Sequence, residues 1–152
     1  MGFWSLRVEI GILIIGDEIL SGKRKDQHLE TIIKLLFKRG LSLSWAEYVR
    51  DDKNKITSTL KRTFSNKNIV FSCGGIGSTP DDNTRQSAAT ALGLPLILHP
   101  EAREKICDRI AKISHENNIE PNFDSPESLQ RLKMGEFPKN AKIKKGTPRP
   151  IA

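Results

Sequence analysis

Residues 8–15, Val8-Glu9-Ile10-Gly11-Ile12-Leu13-Ile14-Ile15 (VEIGILII), are almost wholly apolar and stop at Gly16. The run is far too short for a membrane helix and the right length for a strand. A strand apolar on both faces belongs inside a parallel sheet that helices cover from either side.

The sequence on the C-terminal side alternates in the way such a sheet requires. Asp26 is placed to cap a helix, Leu29, Ile32, Ile33 and Leu36 follow helical spacing, and Gly40 suits a left-handed stop. From Leu41 to Val49, Leu41, Leu43 and Trp45 alternate with Ser42, Ser44 and Ala46, which predicts a strand with unequal faces. Asp51 or Asp52 caps a second helix carrying Ile56, Leu60 and Phe64. Ile69 to Cys73 makes a third strand. A helix is expected from about Thr84 to Gly93, then a short extended piece over 95–99. A helix opens at Pro100 with Ala102, Ile106, Ile110 and Ile113 in one stripe. A shorter one opens at Pro126 with Leu129 and Leu132, and no strong pattern follows Gly135. Strands alternating with amphipathic helices predict an α/β fold with helices on both faces of the sheet. The expected division is one domain over 1–135 and a basic tail over 136–152.

Composition fits this reading. A chain of 152 residues with 37% hydrophobic and 28% charged content is large enough for one real core and argues against wholesale disorder. No apolar run approaches a membrane span. Acids end the first apolar stretch with no cleavage site after it, so a signal peptide is not expected, and Gly2 lacks a convincing myristoylation context. The two cysteines, Cys73 and Cys107, make neither a metal pair nor a disulfide framework, and the cytoplasm is the default compartment. The net charge of +7 favours anionic partners. The basic residues gather in Lys23-Arg24-Lys25 and in the tail from Lys139 to Arg149, where solvated surface is the simpler explanation.

The acidic residues, by contrast, come in pairs after strands: Asp17-Glu18 after the first, Asp51-Asp52 after the second, Asp81-Asp82 after the third. In a parallel sheet these ends form one rim, where ligands bind. Between the third strand and its acids runs GGIGST, and Gly74, Gly75 and Gly77 would let backbone N–H groups approach a phosphate while Ser78 and Thr79 add hydroxyls. Carboxylates crowded on a rim repel one another, and a hard cation such as Mg²⁺, completed by substrate phosphates and water, relieves that. The competing explanation is local. Asp17, Asp26, Asp51, Asp52 and Asp82 each stand where helix capping alone would put an Asp, and Gly74-Gly75 alone could be a tight turn. The loop is neither a Walker loop nor a dinucleotide fingerprint. His28, His99 and His115 are scattered, Cys73 reads as a small core residue, Arg85 is within reach of a phosphate or simply exposed, and Trp4 and Trp45 read as packing.

The segments GDEILSGKRKD, YVRDDKNKI and FSCGGIGSTPDDNTRQSAATALG resemble the molybdopterin-binding fold of the MogA and MoaB molybdenum-cofactor proteins, and most closely the N-terminal domain of CinA, the competence/damage-inducible branch. The likeness runs through about residues 8–115, and SLQRLKMGEFPKNAKI is similar to a later part of that branch. The resemblance implies a three-layer α/β/α sandwich with a mainly parallel sheet. It implies that Asp51 and Asp82 serve a divalent metal and the catalytic chemistry. It also implies that Gly74, Gly75, Gly77, Ser78 and Thr79 take the phosphate region of a molybdopterin-type or adenine-nucleotide ligand, and that Asp17, Glu18 and Asp26 line the same pocket. A homo-oligomer and a place in molybdenum-cofactor metabolism are expected on the same ground. Gln27 and His28 stand where the family often has Asn or Ser, Ser78 stands where Pro is common, and the family usually continues well past KMGEFP, so 136–152 resembles a shortened C-terminus. One rival reading is a metal-dependent nucleotide pyrophosphatase of the CinA type acting on an ADP-ribose-like substrate, Asp51 and Asp82 activating water through the metal. A second is a basic nucleic-acid-binding protein. The lack of aromatic platforms argues against that reading.

Overall fold

The computed structural model describes residues 8–144; Trp4, Gly2 and the tail from Lys145 to Arg149 lie outside them. Strand β1 (Ile10–Ile15) is buried along its whole length. It sits between β2 (Trp45–Val49) and β3 (Ile69–Cys73), both parallel to it, in the order β2-β1-β3. The register pairs Ile15 with Val49 and Ile14 with Cys73, so all three strands end at one rim.

Alternation along β1 builds two cores, because successive side chains point to opposite faces. Ile10, Ile12 and Ile14 pack with Ile32 and Leu36 of helix α2 (His28–Phe37), following the four-residue turn α1 (Asp17–Leu20). Leu13 and Ile15 pack on the other face with Val49, and with Ile56 and Leu60 of α3 (Lys53–Phe64). Ala88 and Ala91 of α4 (Thr84–Leu92) join that second core, their small side chains fitting beneath the sheet. The result is three layers with a parallel sheet in the middle. Gly11 interrupts β1 because the Trp45 ring lies over it; a Cβ there would fall 2.0 Å from Trp45 Cε2.

The other elements form a separate antiparallel pair. Strand β4 (Leu96–Leu98) is followed by α5 (Pro100–Glu116), α6 (Pro126–Lys133) and β5 (Glu136–Pro138), and Ile97 of β4 faces Phe137 of β5. Three features differ from the sequence reading. The second strand begins at Trp45 rather than Leu41, entering through the Ser44 N–H, which donates to Ile10 O at 2.7 Å. Ile33 and Phe64 fall on the outer sides of their helices, at 47% and 43% exposure. The folded region continues past 135, where β5 pairs with β4 and the Lys139 N–H donates to Pro95 O at 2.8 Å.

Candidate functional site

The sheet order sets the geometry of the rim. The glycine loop follows β3, Asp51 follows β2, and Asp17 stands between them at the end of β1. The ends of β2 and β3 are therefore two strand spacings apart, about 9.6 Å.

On the β2 side the Asp17 N–H donates to Asp51 Oδ2 at 2.8 Å, which makes Asp51 the cap of α1 across the sheet. Asp17 Oδ1 accepts from Arg50 Nε at 3.2 Å and from the Asp51 N–H at 3.4 Å. Asp17 and Glu18 are exposed and Asp51 is half-buried. Asp52 is a plain cap, accepting from the Lys55 N–H at 2.7 Å. Asp26 caps α2, accepting from the N–H groups of His28 at 2.8 Å and Leu29 at 3.3 Å.

On the β3 side the loop is held from beneath. Gly74 and Gly75 have φ of 93° and 60°, in the left-handed region. A Cβ on Gly74 would fall 1.9 Å from Ile15 O, and one on Gly75 2.4 Å from Thr84 Oγ1. Thr84, the first residue of α4, donates its hydroxyl to Gly74 O at 2.9 Å and its N–H to Gly75 O at 3.1 Å. Arg85, only 6% exposed, turns under the loop and donates to the carbonyls of Ile76, of Gly77 at 2.6 Å and of Lys133 at 3.4 Å. Burial lowers the guanidinium's affinity for its proton, opposed by the charges of Asp82 and Glu136. The carbonyls and acids compensate for a cation taken out of water. Among the described residues Arg85 Nε has no partner.

Asp82 closes the loop. Its Oδ2 accepts from the Thr79 N–H at 2.9 Å and from the Thr79 hydroxyl at 2.5 Å. Burial would raise its carboxyl, but the Thr79 and Gly77 donors and the charge of Arg85 outweigh that and hold it below the ordinary carboxylate value. Among the described residues the N–H groups of Gly75, Ile76 and Ser78 meet no acceptor within the protein.

The structure thus brings Asp17 to Asp51, and Asp82 to Gly77 and Thr79, with Asp26 set apart beside α2. Among the described residues no group of three or more His, Cys, Asp and Glu is close enough to hold a metal ion by itself. The donor set still suits a cation that arrives with a phosphate, since Asp51 Oδ1 accepts no hydrogen bond among the described residues and Mg²⁺ completes its shell with phosphate oxygens and water. Arg85 was misjudged from sequence: neither an exposed helix residue nor free to meet a phosphate, it is tied to the loop backbone. Thr84 was read from sequence only as a helix start, and its hold on the glycine loop was missed, its only signal being a hydroxyl at a helix start ten residues after a glycine. Cys73 is half-buried, and burial together with the charge of Asp26 pushes its thiol up, as befits a packing residue. No helix among the described residues is long and apolar enough to cross a membrane.

Relatives share this architecture. A "CinA-like protein" of Sulfurihydrogenibium sp. (strain YO3AOP1) is 34% identical over 95 residues, covering 62% of this chain and 24% of that protein. A "CinA-like protein" of Anaeromyxobacter sp. (strain K) is 28% identical over 136 residues, covering 90% of this chain and 31% of its own. The chain therefore spans about a quarter to a third of the length of the curated relatives it matches. Among solved structures, the protein CinA of unknown function from Thermoplasma acidophilum superimposes with a TM-score of 0.69 at 25% identity, covering 91% of this chain and 75% of that one. The tungsten cofactor synthesizing protein MoaB from Pyrococcus furiosus shares the fold, with a TM-score of 0.50 at 24% identity over 71% of this chain and 68% of that one. The family described as "Probable molybdopterin binding domain" matches residues 11–143, most of the folded chain, and the chain belongs to that family.

Proposed function

We propose that this domain binds a phosphate-bearing pterin or nucleotide at the carboxyl rim of its sheet. The observation that carries the reading is the glycine loop: a backbone fixed by Thr84 and Arg85 that leaves the Gly75, Ile76 and Ser78 N–H groups without an acceptor among the described residues. Free backbone N–H groups gathered in one glycine-rich turn favour an anion. In this reading they meet phosphate oxygens, and the Ser78 hydroxyl adds a donor. Thr79 holds Asp82 in place beneath the loop.

A divalent cation, when bound, would neutralise phosphate charge and polarise the phosphorus, with Asp51 and Asp82 as its protein ligands. The strand spacing favours a cation delivered with the ligand over one held in a protein cage. Arg50 screens Asp17 at 3.2 Å and lowers the repulsion that a second nearby carboxylate meets. A role in molybdenum-cofactor metabolism is part of the same proposal, supported by family membership, and assembly as a homo-oligomer is proposed with it on the sequence resemblance alone. Hydrolysis of a nucleotide pyrophosphate is the second reading, favoured by Asp51, which reaches over the end of β1 to the Asp17 N–H and keeps one oxygen uncommitted among the described residues.

Native mass spectrometry of the purified protein against a panel of pterin phosphates, ADP and ADP-ribose, with and without Mg²⁺, tests both. The expected result is a complex with at least one phosphate-bearing heterocycle, tightened by Mg²⁺. Retention of none overturns the proposal, and release of AMP from ADP-ribose selects the hydrolytic reading.

A further inference from the structure

A cleft of about 470 Å³ opens on the α2 side of the sheet, within the size range of small-ligand sites. Its lining joins apolar Ile12, Ile32 and Phe71 to polar Arg24, Lys25 and His28. Cys73 also lines it, and the glycine loop starts at the next residue. Among the described residues none of the loop lines the cleft itself, so a ligand with its phosphate on the loop would reach the apolar surface for its heterocycle by passing over Cys73.

His28 is held in one orientation there. Its Nδ1 lies 3.0 Å from Asp26 Oδ1. Asp26 is itself anchored by the Tyr48 hydroxyl, which donates to Oδ2 at 2.9 Å, and by the Leu29 N–H. Burial would raise the Asp26 carboxyl, but the donors from His28, Tyr48 and Leu29 outweigh it and keep the group ionised. An ionised carboxylate only accepts, so the proton between the two side chains belongs to His28 Nδ1. In the neutral ring Nε2 is then an acceptor. Among the described residues it has no protein partner. The His28 side chain is 48% exposed, so a ligand can reach it.

We infer that His28 is the specificity-determining residue of this cleft: its Nε2 accepts an N–H from an amino-substituted heterocycle, purine or pterin, while Arg24 and Lys25 offset the charge of the phosphates on the glycine loop. The inference rests on the phosphate-ligand reading above and names how the other end of that ligand is read. A site built to hydrogen-bond one group discriminates against an analogue that lacks it, because its own polar atom is left unpaired.

Three probes test this by calorimetry: ADP, the analogue of ADP without the 6-amino group, and inorganic pyrophosphate. The wild type should prefer ADP over the analogue by about tenfold or more. His28→Phe keeps the ring and removes the acceptor, so the preference should vanish while pyrophosphate binds as before. A preference that survives in His28→Phe, or equal weakening of pyrophosphate, overturns the inference. Binding of ADP and pyrophosphate with no preference in the wild type overturns the His28 role and leaves the phosphate reading standing. Binding of none of the three overturns both. A ligand-independent readout is the nitrogen-15 spectrum of the His28 ring at neutral pH: a proton on Nδ1 with Nε2 bare is expected, and a proton on Nε2, with or without one on Nδ1, contradicts the proposed acceptor whatever the ligand.

Discussion

The two halves of the rim are built differently. At the end of β3 the loop is locked from below by a buried arginine, a threonine hydroxyl and a carboxylate, all bonded to loop backbone or to Thr79. At the end of β2, Asp17 and Asp51 exchange hydrogen bonds near solvent, and Arg50 is an exposed partner. The contrast teaches that the first half is a frame: Arg85 and Thr84 act on the fold, and Asp82 serves the fold as well as the proposed cation. The second half has charge to spare, and its side chains are cheap for the fold to lose. Changes on the β3 side should therefore cost stability whatever they do to binding, whereas changes on the β2 side should touch binding with little loss of stability.

The largest effect is expected at Arg85. Arg85→Ala removes three carbonyl contacts and leaves Asp82 and Glu136 without their cation, so unfolding in urea should show a loss of about 3 kcal/mol or more. Arg85→Lys should recover only part of it, since an ammonium cannot span the carbonyls of Ile76, Gly77 and Lys133. A neutral Arg85→Ala would erase the distinction between the halves.

Gly74→Ala comes next. It forces a side chain into the left-handed region and against Ile15 O, at a cost of about 2 kcal/mol. Thermal unfolding should show the drop, and loss of ADP binding should accompany it even at temperatures where the variant is folded.

Asp82→Asn should lower stability by about 1 kcal/mol, because an amide accepts less strongly from Thr79 and carries no charge for Arg85. The sign with pH follows from its depressed pKa. The unfolded chain takes up the proton near the ordinary Asp value of about 3.9, while the native group resists. The stabilisation is thus full above that value and disappears as pH falls through the native one. Wild type and Asp82→Asn should converge in stability in acid. Asp26, also depressed, keeps some acid sensitivity in both proteins.

Much of this frame was legible in the sequence. The continuous apolar run predicted a strand buried on two faces, and the i, i+4 positions Ile56 and Leu60 lie in the core as their spacing requires. The limits have physical causes. Leu41 to Ser44 alternates like a strand, yet the ladder to β1 starts only at Trp45, so pairing rather than pattern sets the boundary. Strand β5 is three residues long and ends in Pro138, too short for any period to register. Capping chemistry told where acids would sit but not which partner they would choose: Asp52 caps its own helix, whereas Asp51 reaches across to the Asp17 N–H. The fold of Arg85 beneath a loop eight residues earlier depends on how α4 packs, and no local spacing encodes it.

The smallest effect on stability and the sharpest on function belong to Asp51. Asp51→Asn retains a side-chain oxygen for the Asp17 N–H, so its melting temperature should stay close to that of the wild type. Calorimetric titration of ADP into wild type and Asp51→Asn, each with and without Mg²⁺, tests the central claim most directly. The account predicts that Mg²⁺ tightens binding to the wild type and that Asp51→Asn loses about tenfold or more of that Mg²⁺-dependent affinity while remaining as stable. Equal Mg²⁺-dependent binding in the two proteins would contradict it.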